Sequence, residues 1–96
     1  MDFLNKLRVG ASIAAEKAQQ TMEVAKLTTA IYGKKRDLER NTSRIGEAVY
    51  EAYKAKDLSL AEREIFRLAK LNEGLENDIA ELERQAVLLK RKIGMR

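Results

Sequence analysis

The sequence predicts an all-α fold: an antiparallel coiled-coil helical hairpin with an N-terminal amphipathic helical extension. Three observations carry the prediction. Apolar residues recur at alternating steps of three and four between Ile65 and Ile93, the spacing of one helix face. A second set, Val24, Ile31, Leu38, Ile45 and Ala52, recurs every seven residues. The chain has no proline, 35% charged and 5% aromatic residues, which is the composition of long helices and leaves little material for strands.

The first element is residues 1–22. Phe3, Leu4, Leu7, Ala11, Ala14, Ala15, Ala18 and Met22 fall in one stripe about 120° wide at ~100° per residue. Its first two turns carry bulky groups and the next three almost only alanine. Lys6 and Arg8 flank the bulky part on opposite sides, while Val9 and Ile13 sit off the stripe. Gly10 weakens the helix by ~1 kcal/mol relative to alanine without breaking it. No breaker follows, so the first helix is expected to run from Asp2 to about Lys56. About twenty residues then overhang without an intramolecular partner. A bend near Gly10 or Gln19–Thr21 that folds them back as a third helix is the alternative.

The second element is the hairpin, residues 23–96, with its turn near 56–59. Ser59-Leu60-Ala61-Glu62 has the form of a capping box that starts the return helix. The return seam is Ile65, Leu68, Asn72, Leu75, Ile79, Leu82, Ala86, Leu89 and Ile93. Reflecting the chain about Lys56-Asp57-Leu58 brings Ala52 opposite Ile65, Val49 opposite Leu68, Ile45 opposite Asn72, Leu38 opposite Ile79 and Val24 opposite Ile93. One register thus joins both seams. In it Lys34 faces Glu83 and Arg36 faces Glu81, pairs worth at most ~1 kcal/mol each at a surface. Asn72 and the polar stretch Arg40–Arg44 share one level, a device that fixes register at a cost in stability.

Two further groups stand out. Gly46, Tyr50 and Tyr53, with Phe66 from the return helix, gather near the turn, where they cap the hairpin end or meet another molecule. Val87-Leu88-Leu89 widens the apolar face near the C-terminus, among Lys90, Arg91, Lys92 and Arg96. These last, with Lys6 and Arg8, form a basic end. Residues 1–36 hold seven basic and three acidic side chains, residues 37–86 eight and twelve, and residues 87–96 four and none. The molecule is expected to be an acidic rod with one basic end.

Composition also narrows function. There is no histidine or cysteine, so the usual general base, thiol nucleophile and zinc ligands are missing. The five glycines are isolated and build no phosphate loop. No enzyme activity and no cofactor are expected. A pI near 9.5 permits nucleic-acid binding, yet the acidic body gives it the least support. No apolar run reaches the ~20 residues of a membrane span.

Two stretches carry a resemblance. Met1-Asp2-Phe3-Leu4-Asn5-Lys6-Leu7 and Ile45-Gly46-Glu47-Ala48-Val49-Tyr50-Glu51-Ala52-Tyr53-Lys54 resemble the N-terminal helical part of small bacterial zinc-ribbon-domain proteins. Those proteins carry paired Cys-x-x-Cys motifs after the helices. This sequence has no cysteine, so no metal site is carried over. A short amphipathic helix before a helical hairpin is also similar in architecture to the phage-shock-protein-A and ESCRT-III-like membrane-remodelling proteins. The expected function is a cytoplasmic scaffold, peripheral at the inner face of the membrane where it is membrane-bound. It would self-assemble as a homo-oligomer or filament, or associate with anionic membrane through the stripe Phe3, Leu4, Leu7, Ala11, Ala14, Ala18 and Met22. A soluble adaptor docking on a helical partner protein is the alternative.

Overall fold

The computed structural model describes residues 2–94. Met1, Met95 and Arg96, the last assigned above to the basic end, lie outside the described residues. The fold is all-α. Helix α1 spans Asp2–Lys54, a single 3-10 turn spans Leu58–Ala61, and α2 spans Glu62–Lys92. The molecule is a rod of 83 × 18 × 15 Å. At ~1.5 Å per residue, α1 alone accounts for that length.

The continuity of α1 overturns the third-helix alternative. Gly10 and Gln19–Thr21 are helical, and a Cβ built at Gly10 would meet nothing within 4 Å. The helix ends two residues before the expected Lys56. Its last carbonyls are taken by a Schellman arrangement: the Asp57 N–H donates to Ala52 O and the Lys56 N–H to Tyr53 O, both at 3.0 Å. Lys56 closes this motif at φ 61°, a left-handed conformation that costs a side-chain-bearing residue about 1 kcal/mol. Helix α2 ends in a similar way. There the Gly94 N–H donates to Arg91 O, and the left-handed position belongs to a glycine with φ 77°.

The capping box at Ser59–Glu62 does not form. Asp57 is the cap instead: its carboxylate accepts from the Ser59 backbone N–H at 3.1 Å and from the Ser59 hydroxyl. The Ser59 side chain is thereby committed one step too early to cap α2, whose first residue follows Ala61 with no side-chain cap.

Burial follows a seam on each helix. On α2, Leu68, Ile79 and Ala86 are buried, and Ile65, Asn72, Leu75, Leu82, Leu89 and Ile93 are half-buried. Leu68 is 0% exposed, a burial that stabilises by about 2 kcal/mol. On α1, Val24 and Ala52 are buried and Ile31, Leu38 and Ile45 half-buried. Val49 corrects the expected seam, because it is 38% exposed. The covered position is its neighbour Ala48, which continues the series Leu27, Lys34 and Asn41. These four interleave with the five expected residues to give the same three-four spacing as α2.

The charge pairs are also corrected. Lys34 meets Asp78 at 3.2 Å and Lys35 meets Glu83 at 3.3 Å. Glu81 is held within α2 by Arg84 and Gln85 rather than by Arg36. A half-buried lysine at a seam position reaches out diagonally along its flexible stem, so its partner is not the residue directly opposite. In the polar layer, the Asn72 amide donates to the Thr42 hydroxyl at 3.3 Å, while Asn72 Oδ1 is buried with no hydrogen-bond partner.

Candidate functional site

Covering stops near Val24. Upstream of it the α1 seam positions are occupied by Gln20, Lys17, Ile13 and Gly10, which offer an opposing helix little apolar surface. Of residues 2–22, all but the half-buried Gln20 are exposed. The bulky residues Phe3, Leu4 and Leu7 stand out most, with Phe3 72% exposed. Ala11, Ala14, Ala18 and Met22 continue their face and are exposed as well. A helix that leaves three large apolar groups in water within two turns carries a surface that burial would stabilise.

Charge is sorted around this stretch. At ~100° per residue, Arg8 and Lys26 border one edge of the stripe, whereas Lys6 and Lys17 stand beyond the other edge, between the stripe and the seam direction. Asp2, Glu16 and Glu23 fall on the opposite side of the helix. The side opposite the apolar stripe thus carries all three acids of this stretch, together with Val9 and Ile13. The stripe is also turned roughly 150° from the seam that faces α2 at Val24–Ile31. It is thus a second apolar face rather than an extension of the first.

The basic residues do not form one cluster. Lys92 shares a surface hollow with Glu23 and Lys26, whereas Arg8 lies about 25 Å further along α1. Lys90 and Arg91 sit in the last turn of α2, where positive charge also suits the helix dipole. The hollow has a volume near 700 Å³ and an apolar floor formed by Leu27, Ala30, Leu88 and Leu89. The broad face at Val87–Leu89 is therefore partly open.

At the turn, the aromatic residues do not cap the end. Tyr50, Tyr53 and Phe66 are exposed, as are Leu58 and Leu60. Lys54 lies over the Tyr50 ring and Lys70 over the Phe66 ring, so each ring engages a lysine of its own helix. Nearby, the Arg67 guanidinium holds the Glu64 carboxyl below its usual range by direct hydrogen bonding. That is a surface ion pair and leaves neither group free for acid–base work.

One feature of the stripe is invisible in a wheel of residue types. The Thr21 hydroxyl donates to Lys17 O at 2.8 Å, and the Thr29 hydroxyl to Ala25 O at 2.9 Å. Both side chains satisfy their hydroxyl on their own helix, so neither presents an unpaired donor at the surface. Among the described residues, no helix is long and apolar enough to cross a membrane, and no group of three or more acidic, histidine or cysteine residues is placed to hold a metal ion. Compared with known protein families, curated proteins and solved structures, the chain finds no match.

Proposed function

We propose that the chain is a non-enzymatic helical scaffold that attaches peripherally to anionic membrane surfaces through its N-terminal extension. In this reading residues 23–94 form an antiparallel coiled-coil hairpin, which holds the extension straight and presents it. The observation that carries the reading is the exposed stripe of Phe3, Leu4 and Leu7 on an unbroken helix, bordered by lysine and arginine. Such a helix gains from burying its apolar face at the headgroup boundary while its cations meet anionic lipid. The hairpin is supported by the matched three-four burial of both helices and by the contacts Lys34–Asp78, Lys35–Glu83 and Asn72–Thr42.

Co-sedimentation with vesicles tests the attachment. The protein should bind vesicles containing phosphatidylglycerol and not pure phosphatidylcholine. Phe3→Glu with Leu7→Glu should abolish binding, because carboxylates are strongly disfavoured among acyl chains. Equal binding by that variant would remove the reading. Cysteines at Leu38 and Ile79 should crosslink within one chain, and cysteines at Leu38 and Leu68 should not. The reverse result would mean the hairpin register is wrong.

The alanine run favours a second reading, self-assembly. Ala11, Ala14, Ala15 and Ala18 let another helix approach closely. Ala14→Leu with Ala18→Leu should then disrupt particles seen by light scattering and electron microscopy, with vesicle binding intact. If the leucine variant stops assembling and the glutamate variant does not, the stripe is a protein–protein surface.

A further inference from the structure

The apolar face does not end with the extension. At the same angular position α1 continues with Ala25, Thr29 and Tyr32, all exposed, and Tyr32 is 65% exposed. Met22, Ala25 and Thr29 line a shallow apolar strip beside Lys26 and Ala30. Arg36 closes the stripe, since it falls at its centre one turn beyond Tyr32. The stripe is therefore about 45 Å long, with large groups at both ends and small ones between. More than a quarter of it, from Val24 to Tyr32, lies on the part of α1 that is covered by α2 on its other side.

Resting on the membrane reading above, we propose that this whole stripe from Phe3 to Tyr32 is the lipid-contacting surface, so that the rod lies flat on an anionic bilayer with α2 held on the side away from it. Three features of the molecule commit the surface to lipid. Arg8 and Lys26 line one margin, and Lys6 and Lys17 stand beyond the other on long flexible stems, so cations flank the contact on both sides and can reach anionic headgroups. Along the stripe the acids Asp2, Glu16 and Glu23 stand on the far side, and Glu39, Glu47 and Glu51 take its angular position only beyond Arg36. Thr21 and Thr29 have satisfied their hydroxyls on Lys17 O and Ala25 O, which removes most of the penalty for burying them in an apolar medium. Tyr32 ends the contact with an aromatic body and a polar tip, the side-chain type that suits the headgroup boundary.

The orientation follows from the angle between the two faces of α1. The stripe lies roughly 150° from the seam, so a bilayer on the stripe and α2 on the seam do not compete. A chain attached only through its first two turns would be free to stand off the surface; one attached through the whole stripe is not.

Site-directed spin labelling tests this on the full chain. With no native cysteine, single cysteines at Ala11, Thr29 and Asn77 can each be labelled and mixed with vesicles of equal parts phosphatidylglycerol and phosphatidylcholine. Collision with oxygen against a soluble nickel chelate reports immersion. The expected result is that labels at Ala11 and Thr29 are immersed and the label at Asn77, on the exposed side of α2, is aqueous. Immersion at Ala11 with an aqueous label at Thr29 overturns the extended contact but leaves the attachment reading intact. Three aqueous labels, or no binding at all, overturn both. Immersion at Asn77 overturns the flat orientation. As an independent check, Met22→Glu with Tyr32→Glu should weaken partitioning about tenfold without lowering the melting temperature; unchanged partitioning contradicts the proposal.

Discussion

The two halves of α1 are one helix with two fates. Residues 24–52 and residues 2–22 have similar helix-forming composition and share an unbroken backbone ladder. The first stretch has its apolar face covered by α2, and the second has its apolar face in water. Apolar character alone does not separate them, because Phe3, Leu4 and Leu7 are as apolar as Ile31, Leu38 and Ile45. What separates them first is reach, since α2 ends at Lys92 beside Glu23 and Lys26, and phase then agrees with it. The covered half keeps its apolar residues on the seam, whereas the uncovered half rotates them away and fills the seam with Lys17 and Gln20. An apolar face is therefore not enough to bury a helix; a neighbour has to reach that face and agree with it in phase.

The sharpest way to break this contrast is to make matching deletions in the two halves. Leu68→Ala opens a cavity at the most buried point of the seam and should lower stability by about 3 kcal/mol in a urea melt. Leu7→Ala should leave the same melt within about 0.5 kcal/mol, because Leu7 is 55% exposed on a part of α1 that α2 does not cover. Equal losses would mean that the extension packs on its own chain. Next in size is the polar layer. Asn72→Leu removes the orphaned Oδ1 and leaves the Thr42 hydroxyl still bonded to Leu38 O. It should raise stability by about 1.5 kcal/mol, and a loss would indicate that Asn72 has a further partner. Lys56→Gly should add about 1 kcal/mol by relieving the left-handed conformation at the end of α1; a neutral result would show that Lys56 adopts another conformation in solution. Smallest is Lys35→Ala, which removes one exposed ion pair with Glu83 and should cost less than about 0.5 kcal/mol. Lys6→Ala should not move the melt but should weaken vesicle binding.

The return helix was legible residue by residue. All nine expected seam positions from Ile65 to Ile93 are buried or half-buried, since eight of them are apolar and the spacing is strict. The first helix was legible only by half. Its second row is Leu27, Lys34, Asn41 and Ala48, and the lysine and asparagine conceal it from a search for apolar residues. Val49 is the larger residue beside the covered Ala48, and its size points to the seam although its phase does not. The turn departs from its expected form because Ser59 and Glu62 satisfy a spacing rule whose geometry is pre-empted by Asp57, two residues before Ser59. The stripe at the N-terminus was legible as far as Met22. Its continuation to Tyr32 was not, because Thr29 counts as polar until its hydroxyl is seen to bond to Ala25 O.

The rod shape has a dynamic consequence. A molecule 83 Å long and under 20 Å wide has no centre: each layer of the seam touches only the layers beside it, so cooperativity is passed along in one dimension. The chain is tied at one end only, by the three-residue link Ala55–Asp57 and the capped 3-10 turn that follows. Opening should therefore begin at the free end, where Leu27 and Leu89 floor an open hollow, and travel towards Leu68. Amide hydrogen exchange should show this as a gradient, fast at Asp2–Gln20, intermediate at Val24 and Leu89, and slowest at Ala52 and Leu68. On a bilayer the gradient should flatten at its fast end, because the segment that frays first is the one that lipid would hold.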